Sequence, residues 1–488
     1  MVMGSRQLWM PVIKVCSFTV AVFGLALLVP LAMAILDGSE NGSAYAAVLL
    51  ICESLALSGT MASWNFQITA LTPRHMFLIT SLSWLAMSGL GALPLLLTET
   101  TLSVSDAVFE SVSGLTTTGS TVLTGLDGMA ADVLLWRSLL QWIGGLGVIA
   151  MAVAILPFLR VGGMRLFQTE SSDWSDKALP RAKSMISRII YLYIAMTGLC
   201  TLAFLYTGMD GFHAINHAMT TVSTGGFSTS DSSFAQFDRL STHWVAVVFM
   251  LLGALPFSLY VQSLAHRRWL FWKDQQLRGF VMLVVAASLV LSVYQIALNH
   301  QPPLEALTLS TFNLVSVIST TGFASGDYSH WGPFAAALFF FATFLGGCSG
   351  STSGGVKMFR FQLLAISMKE SFQRALHPRA IVQRRYNGRK VDDAILLSSV
   401  AYLFVMLISL LVITLLLSLS GVDFDTALTG ASTALMNVGP GLGELIGPAG
   451  NFASLSDASK WILSVGMLLG RLEFITLLVL LTPAFWRG

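Results

Sequence analysis

The chain has 488 residues, 55% of them hydrophobic and only 11% charged, with a net charge of +2 and a mean hydropathy of +0.73. A soluble chain carries roughly 25% charged residues, so this balance cannot cover a water-facing surface, and an integral membrane protein is expected. No nucleic-acid partner is expected for a chain of this kind.

Apolar runs long enough to cross a bilayer, about 20 residues, recur along the whole length. In chain order they fall at about 15–36, 44–66, 76–98, 133–159, 189–208, 243–264, 280–298, 333–366, 394–419 and 461–483, the eighth being interrupted. The predicted fold class is therefore an all-α membrane protein with ten transmembrane helices. Arg6 and Lys14 precede the first run, which ends in the signal-like sequence LAMAILDG. A secretory h-region usually runs about 7–15 residues; this run is longer and a second follows at once, so a retained helix is expected. Cys16, Cys52, Cys200 and Cys348 each fall inside an apolar run at no metal-ligand spacing and read as buried small apolar residues.

Charge sets the orientation. With the N-terminus inside, the Lys and Arg residues gather in 1–14, at Arg74, in 160–188, 267–278 and 357–390, and at Arg487. The outer connections hold only Arg137, Arg239 and Lys460, and they are rich in Asp and Glu. Basic residues accumulate on the cytoplasmic side, so both termini are expected in the cytoplasm. The basic segment 369–390 reads either as topological bias or as a surface for anionic lipid or a soluble partner.

Four short polar segments punctuate this apolar chain: TTTGST (116–121), STGGFS (223–228), STTGFAS (319–325) and NVGPG (437–441). They align on Gly119, Gly226, Gly322 and Gly439. Each follows a segment too brief to span, at 105–116, 211–222, 304–318 and 425–436, which opens at Asp106, Asp210, Glu305 or Asp425. Acids complement the positive end of a helix dipole, so the negative end points at the glycine segment. The pattern predicts span, short re-entrant helix, polar loop and span, repeated four times around one pore. Irregular backbone at membrane depth needs surrounding protein or a water-filled cavity. Inward-facing carbonyls on four such loops would replace the water shell of a cation, as in K⁺ filters. The expected units are an N-terminal helix pair at 1–70 and pore repeats at 71–182, 183–275, 276–390 and 391–488.

The eighth run is broken by GGCSGSTSGG, residues 346–355, in which no side chain is large. Each glycine costs about 1 kcal/mol in a helix relative to alanine, so a loop is expected just below the third polar segment. It reads as an intramembrane gate made of Gly346, Gly347, Cys348, Ser349, Gly350, Ser351, Thr352, Ser353, Gly354 and Gly355; a passive hinge is the plainer reading. A phosphate-binding loop is disfavoured, because that pattern needs Lys directly after its last glycine and Val356 intervenes. Arg471 lies mid-span after the fourth segment, where a charge usually faces a bundle interior or a cavity. It is expected to face the pore as an electrostatic barrier, the alternative being an ion pair with Glu473 or Glu53. Glu53 belongs to the N-terminal pair, where a structural or interfacial part is expected. His213 and His217 sit four apart with no evident third ligand and read as a structural pair. Glu110, Asp231, Asp327 and Glu444 read as solvated outer charges that would concentrate cations.

On these motifs the chain resembles the Trk/Ktr/HKT superfamily of potassium transporters over essentially its full length, and within it the TrkH-type subunits, which carry the extra N-terminal pair. The resemblance implies a K⁺ site lined by Thr117, Thr118 and Gly119; Thr224, Gly225 and Gly226; Thr320, Thr321 and Gly322; and Asn437, Val438 and Gly439. The fourth loop departs from the threonine-rich pattern and places Pro440 after its glycine, so modest selectivity over Na⁺ is expected. Relatives with serine at the first filter glycine resemble Na⁺ carriers, so Gly119 favours K⁺. The resemblance also implies K⁺ as the transported ion, no organic cofactor, no enzymatic activity and a place in the bacterial plasma membrane. A homodimer and a cytosolic nucleotide-binding TrkA-type subunit are the partners it implies. The alternative is a K⁺ symporter coupled to H⁺ or Na⁺, which would need a titratable midplane site.

Overall fold

A computed structural model describes residues 5–68, 71–154, 178–267, 271–379 and 382–487. Most of it is helical, with one small two-stranded hairpin at Arg385–Tyr386 and Arg389–Lys390. The N-terminal pair comprises α1 (Ser5–Ala26), α2 (Leu28–Asp37) and α3 (Gly42–Ala62), where α1 and α2 together make the first apolar span. Then follow α4 (Pro73–Leu97), the short α5 (Val104–Leu115), α6 (Ala131–Ala154), α7 (Ala178–Tyr206) and the short α8 (Gly211–Val222). Next come α9 (Leu240–Gly253), α10 (Phe257–His266), α11 (Gln275–Asn299), the short α12 (Pro303–Ile318), α13 (Pro333–Thr343) and α14 (Met358–Leu376). The chain closes with α15 (Asp393–Leu419), the short α16 (Phe424–Met436), α17 (Asp457–Arg471), α18 (Ile475–Leu478) and α19 (Pro483–Arg487).

Among the described residues, seven helices are long and apolar enough to cross a membrane, and up to nine spans result if each of two bent pairs counts once. Of the ten expected runs, three are interrupted, the eighth as the sequence predicts. The run at 333–366 is cut into the 11-residue α13 and the 19-residue α14 by the glycine-rich segment. The run at 243–264 bends by 83° between α9 and α10, and the run at 461–483 bends by 105° between α17 and α18. Pro256 cannot donate to a helix ladder, and the Gly253 and Ala254 carbonyls it helps to free accept instead from Thr352 and Cys348. The other bend carries Glu473 at φ 61° and Phe474 at φ 49°, two left-handed residues in succession. The last part of the fourth run, 155–159, and the basic stretch from 160 to 177 lie outside the described residues.

Outward faces keep Phe18, Leu55, Val293, Leu411 and Leu415 exposed, the surface a lipid solvent requires. The short helices are enclosed instead. Every residue of α12 from Ser310 to Ile318 is buried, as is every residue of α8 from Asn216 to Val222. Their starts follow from local chemistry. Ser103 accepts from the Asp106 amide, Asp210 from Phe212 and His213, and Asp423 from Thr426, while α12 begins on Pro303. These bonds satisfy amides that a helix start leaves orphaned. Asp425 therefore sits in the first turn, and the cap falls two residues earlier than the sequence reading placed it.

Candidate ion pathway

All four short helices end in the same way. Thr118, Gly225, Thr321 and Val438 donate their amides to Ser113, Thr220, Ser316 and Thr433, each five residues back. The preceding residues, Thr117, Thr224, Thr320 and Asn437, stand at φ 51°, 51°, 58° and 55°. This is a Schellman-type helix end, which usually carries glycine at its left-handed position. Three of these four residues are β-branched threonines, for which such a φ costs about 1–3 kcal/mol and marks a site under constraint. Two residues on, Gly119, Gly226, Gly322 and Gly439 are again at positive φ, between 81° and 110°. The sequence reading placed the special backbone on the glycine alone. The left-handed threonines escape such a reading, because no local pattern favours threonine there.

The loops abut one another in a closed cycle. A Cβ on Gly119 would lie 2.3 Å from the Gly225 carbonyl oxygen, and one on Gly226 would lie 1.8 Å from that of Thr321. A Cβ on Gly322 would lie 2.1 Å from Val438 O, and one on Gly439 would return 2.8 Å from Thr118 O. Each glycine thus faces the carbonyl just before the glycine of the next loop, in chain order, and the fourth faces the first. Glycine is required because a side chain would occupy the place of a neighbour's oxygen. Side chains bridge the same contacts: Asn437 Nδ2 donates to Thr118 Oγ1 at 3.0 Å, and Ser120 Oγ donates to Gly439 O at 2.8 Å. The Gly225 oxygen accepts from Gln141 Nε2 at 2.6 Å, which fixes that peptide plane. Outside the ring, a cavity of ≈ 180 Å³ opens onto Gly119, Gly322 and Gly439 with Asp231 on its wall.

Beneath the ring, residues 344–357 fold back as a buried hairpin. Val356, Lys357 and Met358 donate their amides to Phe344, Leu345 and Gly347, and Gly346 and Gly355 approach so closely that neither has room for a side chain. Cys348 N and Thr352 N bond the broken end of α9, Gly350 O accepts from Phe257 N, and Ser349 N donates to Gln276 Oε1 at 3.0 Å. Ser351 Oγ closes onto Cys348 O, and Ser353 O accepts from Lys357 Nζ. The upper edge touches the loops above. Gly354 N donates to Thr320 Oγ1 at 2.6 Å, Gly355 N to Met436 O at 2.9 Å, and Thr224 Oγ1 to Thr352 Oγ1 at 3.1 Å.

Arg471 is 4% exposed and lines a cavity of ≈ 20 Å³, about the size of one water, with Gly350, Ser353, Gly355 and Lys357. Among the described residues nothing accepts a hydrogen bond from its guanidinium. The alternative ion pairs are not formed: Glu473 is taken by Arg360, and Glu53 lies on α3 against Gly24 of α1.

A four-loop ring closed on itself above a broken span invites comparison with known transporters. The cation transport protein model called TrkH matches residues 45–487. The chain belongs to the TrkH family. It is 45% identical over 487 residues to the Trk system potassium uptake protein TrkI of Halomonas elongata, covering 100% of this chain and 99% of that one. It is 36% identical to TrkH of Vibrio parahaemolyticus, covering 98% of this chain and 99% of the relative. A crystal structure titled as the potassium transporter TrkH from Vibrio parahaemolyticus superposes with a TM-score of 0.88 at 34% identity, over 98% of this chain and 100% of that one. Membership of a TrkH transport family makes the chain a membrane transporter and not an enzyme.

One further group stands differently from the sequence reading. Glu110 is fully buried rather than solvated: it pairs with Arg137 at 2.8 Å and accepts from Thr121 Oγ1 and Val122 N. Of the other outer acids, Asp231 accepts from the Gly125 and Leu126 amides, and Asp327 caps Tyr328–His330. Glu444 borders a separate crevice between α13 and α16. His213 and His217 take different partners: His213 Nδ1 meets Thr229 Oγ1 at 2.6 Å, and His217 Nδ1 donates to His213 O. The basic segment 369–390 is partly tied down, with Arg384 on Glu370 and Asp393 and Tyr386 buried against Gln362.

Proposed function

We propose that the chain takes up K⁺ across the bacterial plasma membrane through a fourfold pseudo-symmetric selectivity filter. The filter is formed by Thr117–Gly119, Thr224–Gly226, Thr320–Gly322 and Asn437–Gly439. The observation that carries this reading is the closed cycle of glycine-to-carbonyl contacts among the four loops. Carbonyl rings of this kind replace a cation's hydration shell, and the negative ends of four short helices favour positive charge there. Relatives matched along the whole chain bear the name potassium uptake protein. The units at 71–182, 183–275, 276–390 and 391–488 are then four repeats around one pore, with 1–70 as an added helix pair and both termini cytoplasmic.

Residues 346–355 serve as the gate in this reading. The hairpin lies buried under three of the four loops and is hydrogen-bonded to them and to the broken end of α9. Arg471 supplies the barrier: an unpaired guanidinium in the cavity beside the gate repels cations leaving the filter. A cytosolic nucleotide-binding TrkA-type subunit, engaging the basic cytoplasmic segments of a homodimer, would move the gate.

Reversal potentials in proteoliposomes with opposed K⁺ and Na⁺ gradients test this. The proposal expects the potential to follow the K⁺ gradient. A potential that tracks the H⁺ or Na⁺ gradient would replace it with coupled symport.

A further inference from the structure

Nine residues before the filter glycines Gly119, Gly226, Gly322 and Gly439 stand Glu110, His217, Asn313 and Gly430. The first three side chains do the same thing by different chemistry. Glu110 accepts from Thr121 Oγ1 and Val122 N, the segment just outside the first glycine, at 3.0 Å. Arg137 holds the carboxylate at 2.8 Å and reaches on to Ser228 O of the second loop at 3.0 Å. His217 donates through Nδ1 to a carbonyl, so its Nε2 is left to accept, and it does so from Ser228 Oγ at 3.2 Å. Asn313 is bidentate: Nδ2 donates to Ser325 Oγ at 2.7 Å and Oδ1 accepts from Ser325 N at 3.1 Å. All three side chains are essentially inaccessible. In the fourth quadrant the position is glycine. A Cβ on Gly430 would lie 3.2 Å from Ile446 Cδ1, and the loop is closed instead by Gly441 N on Ile446 O at 2.7 Å.

We propose that Glu110, His217 and Asn313 are positioning residues that set ion discrimination from behind the filter, and that the fourth loop, packed by Ile446 and reached from its short helix by the long Thr429 Oγ1 bond to Leu442 O at 3.4 Å, is its compliant quadrant. Carbonyl dipoles aimed at one axis repel one another and swing outward unless the chain beyond them is held. Buried hydrogen bonds hold it without facing the ion, and the charged pair at Glu110 makes the stiffest of the three. A stiff ring keeps its oxygens at a separation suited to the larger ion, and a yielding ring closes on Na⁺ as well.

The proposal rests on the filter reading above, and the test separates the two. Asn313→Ala, His217→Ala and Glu110→Gln are compared with wild type and with Gly119→Ser, each as monodisperse full-length protein in proteoliposomes. The readout is the K⁺/Na⁺ permeability ratio, which a purely structural role would leave unchanged in protein that remains folded. The expected result is a ratio about 2- to 10-fold lower in the strut variants, the range spanned by one lost hydrogen bond, with Gly430→Ala unchanged. Should Glu110→Gln fail to fold because Arg137 is left unpaired, Asn313→Ala and His217→Ala decide the outcome. An unchanged ratio in them, alongside a lowered ratio in Gly119→Ser, overturns the strut proposal and leaves the filter standing. If Gly119→Ser is unchanged too, the filter reading falls, and this proposal with it.

Discussion

The Gly354 amide donates to Thr320 Oγ1 at 2.6 Å, so the glycine-rich hairpin is bonded to the left-handed residue of the third polar loop. In the proposed function this bond couples gate to filter. Reciprocity is required of any such coupling: what loosens the gate changes ion affinity in the filter by the same factor.

Thr320→Val keeps the shape of the side chain and leaves the Gly354 amide buried without a partner. An unmet buried donor costs about 1–3 kcal/mol, or about 5- to 150-fold in the closed-gate equilibrium. Flux through the purified protein should rise accordingly, and deletion of 348–353 should raise it further. Unchanged ⁸⁶Rb⁺ uptake in both variants would remove the hairpin from gating.

Gly119→Ser introduces a Cβ 2.3 Å from the Gly225 oxygen, at a glycine whose φ is 88°. Loops one and two must separate. Discrimination between K⁺ and Na⁺ is expected to relax while the protein stays folded, as read from the shift in reversal potential under bi-ionic conditions.

Arg471→Gln removes the unpaired positive charge and keeps most of its volume. No ion pair is broken, because Arg471 has no acceptor among the described residues, so thermal stability should hold. Flux is expected to rise by about tenfold or more, the effect of removing about 1.4 kcal/mol or more of repulsion, with the reversal potential unmoved. A changed K⁺/Na⁺ ratio would place Arg471 in selectivity instead.

Asp106, in the first turn of α5, meets Lys460 of α17 at 2.5 Å. Burial pushes its carboxyl up, but hydrogen bonds from Lys460 and Ser103 outweigh that and hold it below the ordinary value. A carboxyl lowered by folding stabilises the protein above its unfolded pKa of about 3.9 and loses that contribution as pH falls through the folded value. Asp106→Asn should therefore melt earlier than wild type above about pH 5, and the gap should close as the pH falls below the ordinary carboxyl range. Melting curves that stay parallel across that range would argue against the pair.

Much of this was legible in the chain because it depends on neighbours in sequence. Glycines beside threonines, acids at helix starts and a run with no large side chain placed α8 at 211–222, as observed, and the other short helices within a residue or so. Helix N-caps, apolar length and helix-breaking glycine act over a few residues. Glu110 illustrates the opposite case. As a lone acid on an outer segment it reads as solvated, and only Arg137 arriving from α6 makes it a buried strut.

Composition and local pattern alone thus determined a membrane bundle, four short helices with their glycine loops, a broken eighth run and an arginine in the last apolar run. Tertiary structure decided what those loops touch: which carbonyl faces which glycine, where α9 and α17 bend, and whether Arg471 has a partner. A bend or an ion pair depends on groups contributed by other segments, 27 residues away for Glu110 and Arg137 and 113 for Arg360 and Glu473, and one chain's order carries no record of which of its segments will meet. Helix ends and span lengths are set by bonds within a turn, whereas the ring exists only when four separate segments close on one axis.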